Sequence, residues 1–320
     1  MRLSDLGLIP VALLLASELP AVTQAQTTPS AAAWPGWGGP DRNFSTTPSR
    51  LASSWPPDGP PTLWTRALGE GHSAIVALDA ATGQTLWEHR YASSLAGMDF
   101  TRGTGPHSTP LVVGDRVFAA SSDMQFFAVD ARTGKVLWSH HLVKEFGAPP
   151  NQMRYAVPPG YAPSPIAHKD TIIAMVGGPN QGVIAFRQDD GRVAWKGGDF
   201  PDDISPSSPV LITLDGQDQL IATSGDAVHG MDPSNGRVLW TFSFPTKYGA
   251  NMTTPLWSPI DRLLFLSAAY EGRTRVLELA RARGRTEVKE RWSSNRMRVM
   301  FGNVIRIGDY YDNKDVEDTA

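Results

Sequence analysis

Apolar and polar positions alternate along this chain in a unit that recurs four times. In each copy an apolar run leads into a polar turn that closes on glycine, and a second run of branched and aromatic residues ends in tryptophan. Aspartate in such a turn can bond the backbone two residues on, and glycine supplies the positive φ of a tight hairpin. The unit therefore predicts a β-hairpin whose return strand carries a tryptophan. The copies occupy residues 77–87, 128–138, 185–195 and 230–240.

A second recurring signal is a serine or threonine followed by proline at the start of a short apolar run. It opens the runs at residues 109–113, 164–166, 208–210 and 254–256. Proline suits the first residue of a strand, where no ladder donor is required. The tryptophans that end the hairpins are 51, 57 and 45 residues apart, which is the period of a four-stranded propeller blade. We therefore predict an all-β fold, a β-propeller of four-stranded antiparallel blades.

Both ends of the repeat array are irregular. In the regular repeats 20 to 22 residues separate the blade-opening serine from the hairpin unit, but only 4 separate Ser73 from Ala77. If Ser73 belongs to the opening of the first blade, most of two strands is missing and that blade is predicted to be defective. The alternative is that the blade opens elsewhere and not at residues 69–73. A worn fifth hairpin runs from Val276 to Trp292, and residues 301–309 resemble the opening strand of a sixth blade. An incomplete ring of five to six blades exposes edge strands, which predicts self-association or marginal stability.

The repeated phrase Ala-x-Asp-x-x-[Thr/Ser/Asn]-Gly-x-x-x-Trp resembles the pyrroloquinoline quinone (PQQ)-like β-propeller repeat family, in the quinoprotein alcohol dehydrogenase-like superfamily. The resemblance covers residues 34–309, and residues 34–42 resemble the opening of periplasmic members with no established enzymatic role. Propellers of this family generally have seven or eight blades. The resemblance also implies that the repeated tryptophans dock neighbouring blades: Trp87, Trp138, Trp195 and Trp240.

The amino-terminal residues have the character of a secretory leader. Arg2 precedes an apolar stretch from Leu6 to Ala16, and small residues near Ala25 offer a plausible cleavage point. The alternative is a short membrane anchor, but the run is shorter than the ~20 residues that a span requires. We expect a periplasmic or secreted protein with no transmembrane anchor after cleavage. The predicted division is a signal peptide at 1–25, a segment leading into the propeller at 26–66, the repeats at 67–309 and an unstructured tail at 310–320.

Charge and cysteine content narrow the function. The formal net charge is −3, so the chain has no basic excess that would attract nucleic acid. It contains no cysteine, which excludes a disulfide framework, a thiolate nucleophile and a Cys-based zinc site. The quinoprotein alcohol dehydrogenases that the chain resembles carry adjacent cysteines beside the quinone. In those enzymes the two cysteines join to form a ring beside the quinone, and this chain, which has no cysteine, cannot form it.

No catalytic or metal-binding cluster stands out. A dehydrogenase of that class needs Ca²⁺ held by oxygen ligands and an aspartate that acts as a base. Four aspartates in predicted loops could serve as ligand or base: Asp99, Asp202, Asp203 and Asp309. None of them is diagnostic of such a site, since each resembles an ordinary solvated side chain. The adjacent His140 and His141 face opposite sides of a strand and cannot chelate together. We assign no catalytic residue and no metal ligand.

Weak candidates for ligand binding lie at the predicted channel mouth. Arg102 and His107 flank a glycine-rich loop that leads into a first strand, and Asn251 precedes another. These residues could meet a carbohydrate or another small ligand, or they could simply cap their loops. The sequence thus favours a non-catalytic binding or scaffolding module, as the related outer-membrane assembly lipoprotein is, with periplasmic proteins or a small ligand as partner. The alternative is a quinoprotein-type dehydrogenase, or a truncated relative of one, oxidising an alcohol or sugar with PQQ and Ca²⁺.

Overall fold

The computed structural model describes residues 33–46, 52–67, 74–99, 105–200, 204–308 and 310–312. The predicted signal peptide lies outside these residues, as do Arg102, Asp202, Asp203 and Asp309. The described part is almost entirely β-structure, with one short helix, α1 (Leu142–Phe146). No helix in it has the length and apolar character that a membrane crossing requires.

The strands form six antiparallel sheets that follow one another along the chain. The first blade has two strands, β1 (Ala74–Leu78) and β2 (Thr85–Arg90). The second blade comprises β3 (Leu111–Val113), β4 (Arg116–Ala120), β5 (Gln125–Asp130) and β6 (Val136–His141). The third comprises β7 (Ile166–His168), β8 (Thr171–Met175), β9 (Val183–Arg187) and β10 (Val193–Gly197).

The fourth blade comprises β11 (Val210–Leu214), β12 (Gln217–Thr223), β13 (Ala227–Met231) and β14 (Val238–Ser243). The fifth comprises β15 (Leu256–Ser258), β16 (Leu263–Leu266), β17 (Thr274–Ala282) and β18 (Arg285–Ser294). The last sheet pairs β19 (Ile305–Ile307) with β20 (Tyr310–Asp312). The predicted incomplete propeller with a defective first blade is confirmed. Because β20 lies within 310–320, the expectation of an unstructured tail there is corrected for its first three residues.

Three of the four predicted hairpin turns form through an aspartate carboxylate, and the third copy has Arg187 in that position. In the second blade Asp130 Oδ1 accepts hydrogen bonds from the backbone of Arg132 and Thr133, at 3.1 and 2.8 Å, and from the Thr133 hydroxyl at 2.7 Å. On the return strand Trp138 lies opposite Ala128, next to a β-bulge. The degenerate fifth hairpin has a bulge at the same place, and its Trp292 lies opposite Val276. The bulge therefore sets the position of the tryptophan on the return strand in each of these hairpins.

Apolar side chains pack between each sheet and the next. Five clusters of buried residues fill the five successive interfaces, from the first sheet against the second to the fifth against the last. Phe126 and Phe186, for example, stack across the interface of the second and third blades with ring centroids 5.9 Å apart. The core of this protein is thus a series of layers, and each blade buries both of its faces only when it has a neighbour on each side.

Candidate functional site

The segment 33–46, here called the plug segment, lies against the first strands of several blades. Its Pro35 carbonyl accepts the backbone N–H of Val112 in β3 at 2.7 Å. Trp37 Nε1 donates to Thr254 Oγ1, immediately before β15, at 2.7 Å. Arg42 donates to the carbonyl of Ala167 in β7 at 3.3 Å. The plug segment therefore occupies the space that the first strands surround.

A cavity of about 470 Å³ lies beside the plug segment, among the loops that lead into β3, β7, β11, β15 and β19. Its walls are mainly apolar, and the indole of Trp37 forms part of them. The bulkiest lining side chains come from three other loops: Met153, Met252 and Phe301. Phe301 is 50% exposed. An apolar, concave site of this size at a channel mouth is where a propeller most readily accepts a ligand or a partner's side chain.

Hydroxyl groups before the first strands tie the cavity wall together. Ser164 Oγ accepts the backbone N–H of Thr109 at 3.0 Å, and Ser208 Oγ accepts the backbone N–H of Ser164 at 2.9 Å. Thr254 Oγ1 accepts the Trp37 indole N–H in the same way. These are residues of the Ser-Pro and Thr-Pro signals. The hydroxyls of Ser164 and Ser208 bond their blades to the preceding one, and Thr254 bonds its blade to the plug segment. The three hydroxyls also line the cavity, where their protons can be donated to a ligand.

The candidate residues from the sequence do not converge on one place. His107 is exposed and lines the cavity. Asn251 is 1% exposed and is not among the lining residues, because its Nδ2 donates to three backbone carbonyls at 3.0, 3.2 and 3.1 Å. It joins two loops of the fourth blade, while its neighbour Met252 reaches the cavity. Arg102 lies outside the described residues.

The apolar residues of this cavity carry little signal in the sequence. Trp37 is the exception, because it stands in the aromatic and glycine-rich stretch 34–42. Met153, Met252 and Phe301 carry no such signal, since each is a single apolar residue in a loop. Their proximity follows only from the stacking of the blades.

Loops of three blades meet next to Met153 at the rim of the cavity. Arg154 forms two hydrogen bonds with the Asp226 carboxylate, at 2.6 and 2.5 Å. These bonds lower the pKa of Asp226. The adjacent Tyr155 packs edge-on against Tyr248, with ring centroids 5.7 Å apart, and Tyr248 packs against Tyr270 at 5.4 Å. The rim is therefore built of aromatic and paired charged groups.

PQQ and Ca²⁺ do not fit the described residues of the cavity. PQQ is a tricarboxylate, which calls for cationic partners, and Ca²⁺ calls for several oxygen ligands with negative charge. Among the described lining residues there is no aspartate, glutamate, lysine or arginine. No three histidines or carboxylates in the described part are grouped to hold a metal ion.

The repeated tryptophans reach from one hairpin to the next. The Trp87 indole donates to the carbonyl of Ala131 in the second blade at 2.8 Å, and Trp138 donates to Gln188 in the third at 3.1 Å. Trp195 donates to Pro233 in the fourth at 3.1 Å. In each case the ring lies over the glycine of the receiving turn, and a Cβ there would come within 2.5 to 2.7 Å of it. The turn glycine thus also makes room for the tryptophan of the preceding blade.

The set of docking tryptophans differs from the prediction in two ways: Trp64 is added to it, and Trp240 makes a different contact. Trp64 makes the same contact with the first hairpin, donating to the Ala80 carbonyl at 2.9 Å with its ring over Gly83. Trp240 instead donates to Gln219 Oε1 in its own blade at 2.8 Å, because the fifth hairpin lacks the receiving turn. Its indole lies over Gly230, where a Cβ would be 2.0 Å from Trp240 Nε1. The replacement of alanine by glycine at 230 was the sequence signal for this difference.

Layered four-stranded sheets, hairpins ending in tryptophan and hydroxyl-bonded blade openings define a PQQ-like repeat propeller. The PQQ_2 family, described as outer membrane protein assembly factor BamB, matches residues 71–310, and the chain belongs to this family. The resemblance found in the sequence is thereby confirmed.

Individual relatives match over parts of their length. Outer membrane protein assembly factor BamB of Shewanella oneidensis is 28% identical over 72 residues, which are 22% of this chain and 18% of the relative. The polyvinylalcohol dehydrogenase of a Pseudomonas species is 24% identical over 234 residues, 58% of this chain and 36% of the enzyme. The chain thus spans little more than a third of these curated relatives at most.

Among solved structures, BamB from Moraxella catarrhalis superposes with a TM-score of 0.51 at 18% identity, over 75% of this chain and 64% of that protein. At this identity the likeness is one of fold. The BamB structure therefore shares the fold of this chain, and the function has to be argued from the site.

Proposed function

We propose that this chain is a non-catalytic protein-binding module of the periplasm, and that its channel-mouth cavity receives a bulky apolar side chain of a partner protein. The observation that carries the proposal is the lining of the cavity, where Trp37, Met153, Met252 and Phe301 face one space of about 470 Å³. That volume falls within the ~300–1,000 Å³ of typical binding pockets. Flexible methionine side chains adapt to differently shaped partners.

The rim of the cavity supports a polypeptide as the ligand. Tyrosine and arginine are enriched where proteins meet, because they combine a large apolar area with a polar end. Here Arg154, Tyr155, Tyr248 and Tyr270 follow one another across loops of three blades. A segment of a partner can anchor one apolar residue in the cavity and lie across these side chains. The lining hydroxyls of Ser164, Ser208 and Thr254 can then bond its backbone.

The periplasmic location and the class of partner rest on indirect support. Residues 1–25 have the pattern of a secretory leader, and the matching family is described as an outer membrane protein assembly factor. Proteins of the cell envelope are therefore the proposed partners. A quinoprotein dehydrogenase is the second candidate, because polyvinylalcohol dehydrogenase is among the relatives, but the described lining residues suit neither a tricarboxylate nor Ca²⁺.

Site-specific photocrosslinking tests the proposal. A photoreactive phenylalanine analogue replaces Met252 in one variant and Ile260 in a control; Ile260 is 92% exposed and lies at the other end of β15. We expect crosslinks to a polypeptide from position 252 and none from position 260, and we expect Phe301→Asp to abolish them. Equal crosslinking from both positions would contradict the proposal. So would retained quinone absorbance with alcohol turnover after the purified chain is incubated with PQQ and Ca²⁺.

A further inference from the structure

We propose that the groove beside β1 receives the β19–β20 hairpin of a second copy of this chain, so that two copies build one four-stranded blade between them. This interaction goes beyond the proposed binding at the channel mouth and uses different residues. It rests on three observations: a vacant apolar groove at one end of the blade series, an exposed apolar hairpin at the other, and the matching strand order of the two.

The groove lies where the described residues supply no first or second strand to the first blade. It has a volume of about 520 Å³ and runs between β1 and the inner strands of the second blade. Val112, Val117 and Ala119 form part of its floor, and Val112 is 45% exposed. The corresponding residues of the next two blades, Ala167 and Leu211, are half-buried against the preceding blade. Val112 is exposed because no strand of the described chain covers it.

A buried polar atom in the same groove also lacks a partner. Ser108 lines the groove, is only 6% exposed, and its Oγ has no hydrogen-bond partner among the described residues. The corresponding residue of the fourth blade is Ser207, and its Oγ donates to the Thr253 carbonyl of the next blade opening at 3.0 Å. A buried hydroxyl without a partner destabilises the folded chain, because no protein hydrogen bond replaces the one that it made to water. A strand lying in the groove can supply that partner.

The hairpin at the other end presents one anchored face and one apolar face. On the anchored face Arg306 pairs with Asp261 and Ser258, and Tyr311 stacks on Phe265 with ring centroids 4.5 Å apart. The opposite face carries three large apolar side chains that are 39%, 61% and 79% exposed: Ile305, Ile307 and Tyr310. They are suited to the apolar floor of the groove, which includes Val112 and Val117.

The two half-sheets complement each other in strand order. In every complete blade the second strand pairs antiparallel with the third, as β4 pairs with β5 and β12 with β13. Among the described residues, β20 is a second strand without a third, and β1 is a third strand without a second. Pairing β20 of one copy with β1 of another restores the order of a complete blade. Within one chain the two remain separate sheets, so the partner strand comes from a second copy.

The contact is head-to-tail, because each copy offers a groove at one end and a hairpin at the other. Contacts of this type form a closed ring or grow into an open chain of copies. Association should therefore increase with concentration and should not stop at a dimer unless one end is blocked. Variants that block either the groove or the hairpin can therefore test the proposed association.

Analytical ultracentrifugation of the purified chain and three lysine variants tests the proposal. Val112→Lys blocks the groove, Ile307→Lys blocks the hairpin, and Leu137→Lys is the control, since Leu137 on β6 is 44% exposed, as Val112 is 45%. A lysine that must be desolvated in the contact should weaken association by about tenfold or more. We expect this loss for both end variants and no loss for the control, with circular dichroism showing that all are folded.

Mixing the two end variants gives the decisive outcome. The Val112→Lys chain keeps an intact hairpin and the Ile307→Lys chain keeps an intact groove, so the mixture should form a 1:1 dimer and nothing larger. A wild-type chain that stays monomeric at all concentrations would overturn the proposal. It would equally be overturned by association that neither variant weakens, or by a mixture that fails to form the dimer.

Discussion

The indole of Trp87 lies over Gly134, the glycine that closes the hairpin turn of the next blade. Trp87 Nε1 donates to the Ala131 carbonyl at 2.8 Å, and a Cβ on Gly134 would lie 2.5 Å from Trp87 Cε3. The glycine also has a φ of 70°. One residue thus satisfies two demands, the conformation of its own turn and the close approach of a tryptophan from the preceding blade.

Gly134→Ala should destabilise the protein for two reasons, the positive φ of residue 134 and its close contact with the Trp87 indole. Strain at positive φ and the overlap with the indole should together cost about 2–4 kcal/mol. Urea unfolding measures the loss. Gly114→Ala is the matched control, because Gly114 has a φ of 58° and no atom within 4 Å of the added Cβ, so its cost should be ~1 kcal/mol. Equal losses in the two variants would show that the docked tryptophan contributes nothing.

Gly230→Ala should be costly although three other copies of the phrase carry alanine at this position. The reason is Trp240, whose indole folds back over Gly230. We expect a loss of about 1–3 kcal/mol in urea unfolding. In a Trp240→Ala background the same substitution should cost little, because the overlapping ring is gone. If the two changes prove additive, the proposed relation between the two residues is wrong.

Trp64→Ala should loosen the first hairpin without unfolding the other blades. Trp64 is 38% exposed, and its indole N–H donates to the Ala80 carbonyl of that hairpin. We expect faster amide hydrogen exchange in β1 and β2 and unchanged exchange in β8 and β9, since local openings involve few buried contacts. Trp138→Ala is the contrasting variant. Trp138 is 9% exposed, and its loss should lower global stability by about 3–5 kcal/mol.

Acid should weaken the hairpin turns. The hydrogen bond from the Thr133 hydroxyl lowers the pKa of Asp130, and the Arg187 guanidinium lowers the pKa of Asp189 to about 2. An aspartate whose pKa is lower in the folded chain stabilises it above the unfolded pKa of about 3.9, and the contribution is lost as the pH falls through the folded pKa.

The pH dependence of the urea midpoint checks this prediction. Between pH ~5 and ~2 the wild-type midpoint should fall, and Asp189→Asn should reduce the slope of that fall. Asp58→Asn serves as a control in an exposed segment outside the blades. The effect should be small, because Asp189 is exposed and solvent screens its pairing with Arg187. A slope unchanged in Asp189→Asn would contradict the prediction.

The hairpins could be predicted because their determinants are local. Asp130, Thr133 and Gly134 lie within five residues of one another and form the turn through contacts that they make among themselves. The incomplete first blade could be predicted in the same way, since only 4 residues separate Ser73 from Ala77, against 20 to 22 in the regular repeats. The cavity could not be predicted in this way. Trp37 and Thr254 are 217 positions apart, and their hydrogen bond exists only after the blades have stacked.

The sequence by itself determined the repeat, the turn chemistry, the all-β fold and the incomplete first blade, because each depends on neighbours along the chain. The tertiary structure decided the rest. It turned Asn251 inward and brought Met252 and Phe301 to one cavity. It also left Val112 and Ile307 exposed at opposite ends of the blade series. Whether a side chain is buried depends on which sheet covers it, and that is settled only when distant strands pack together.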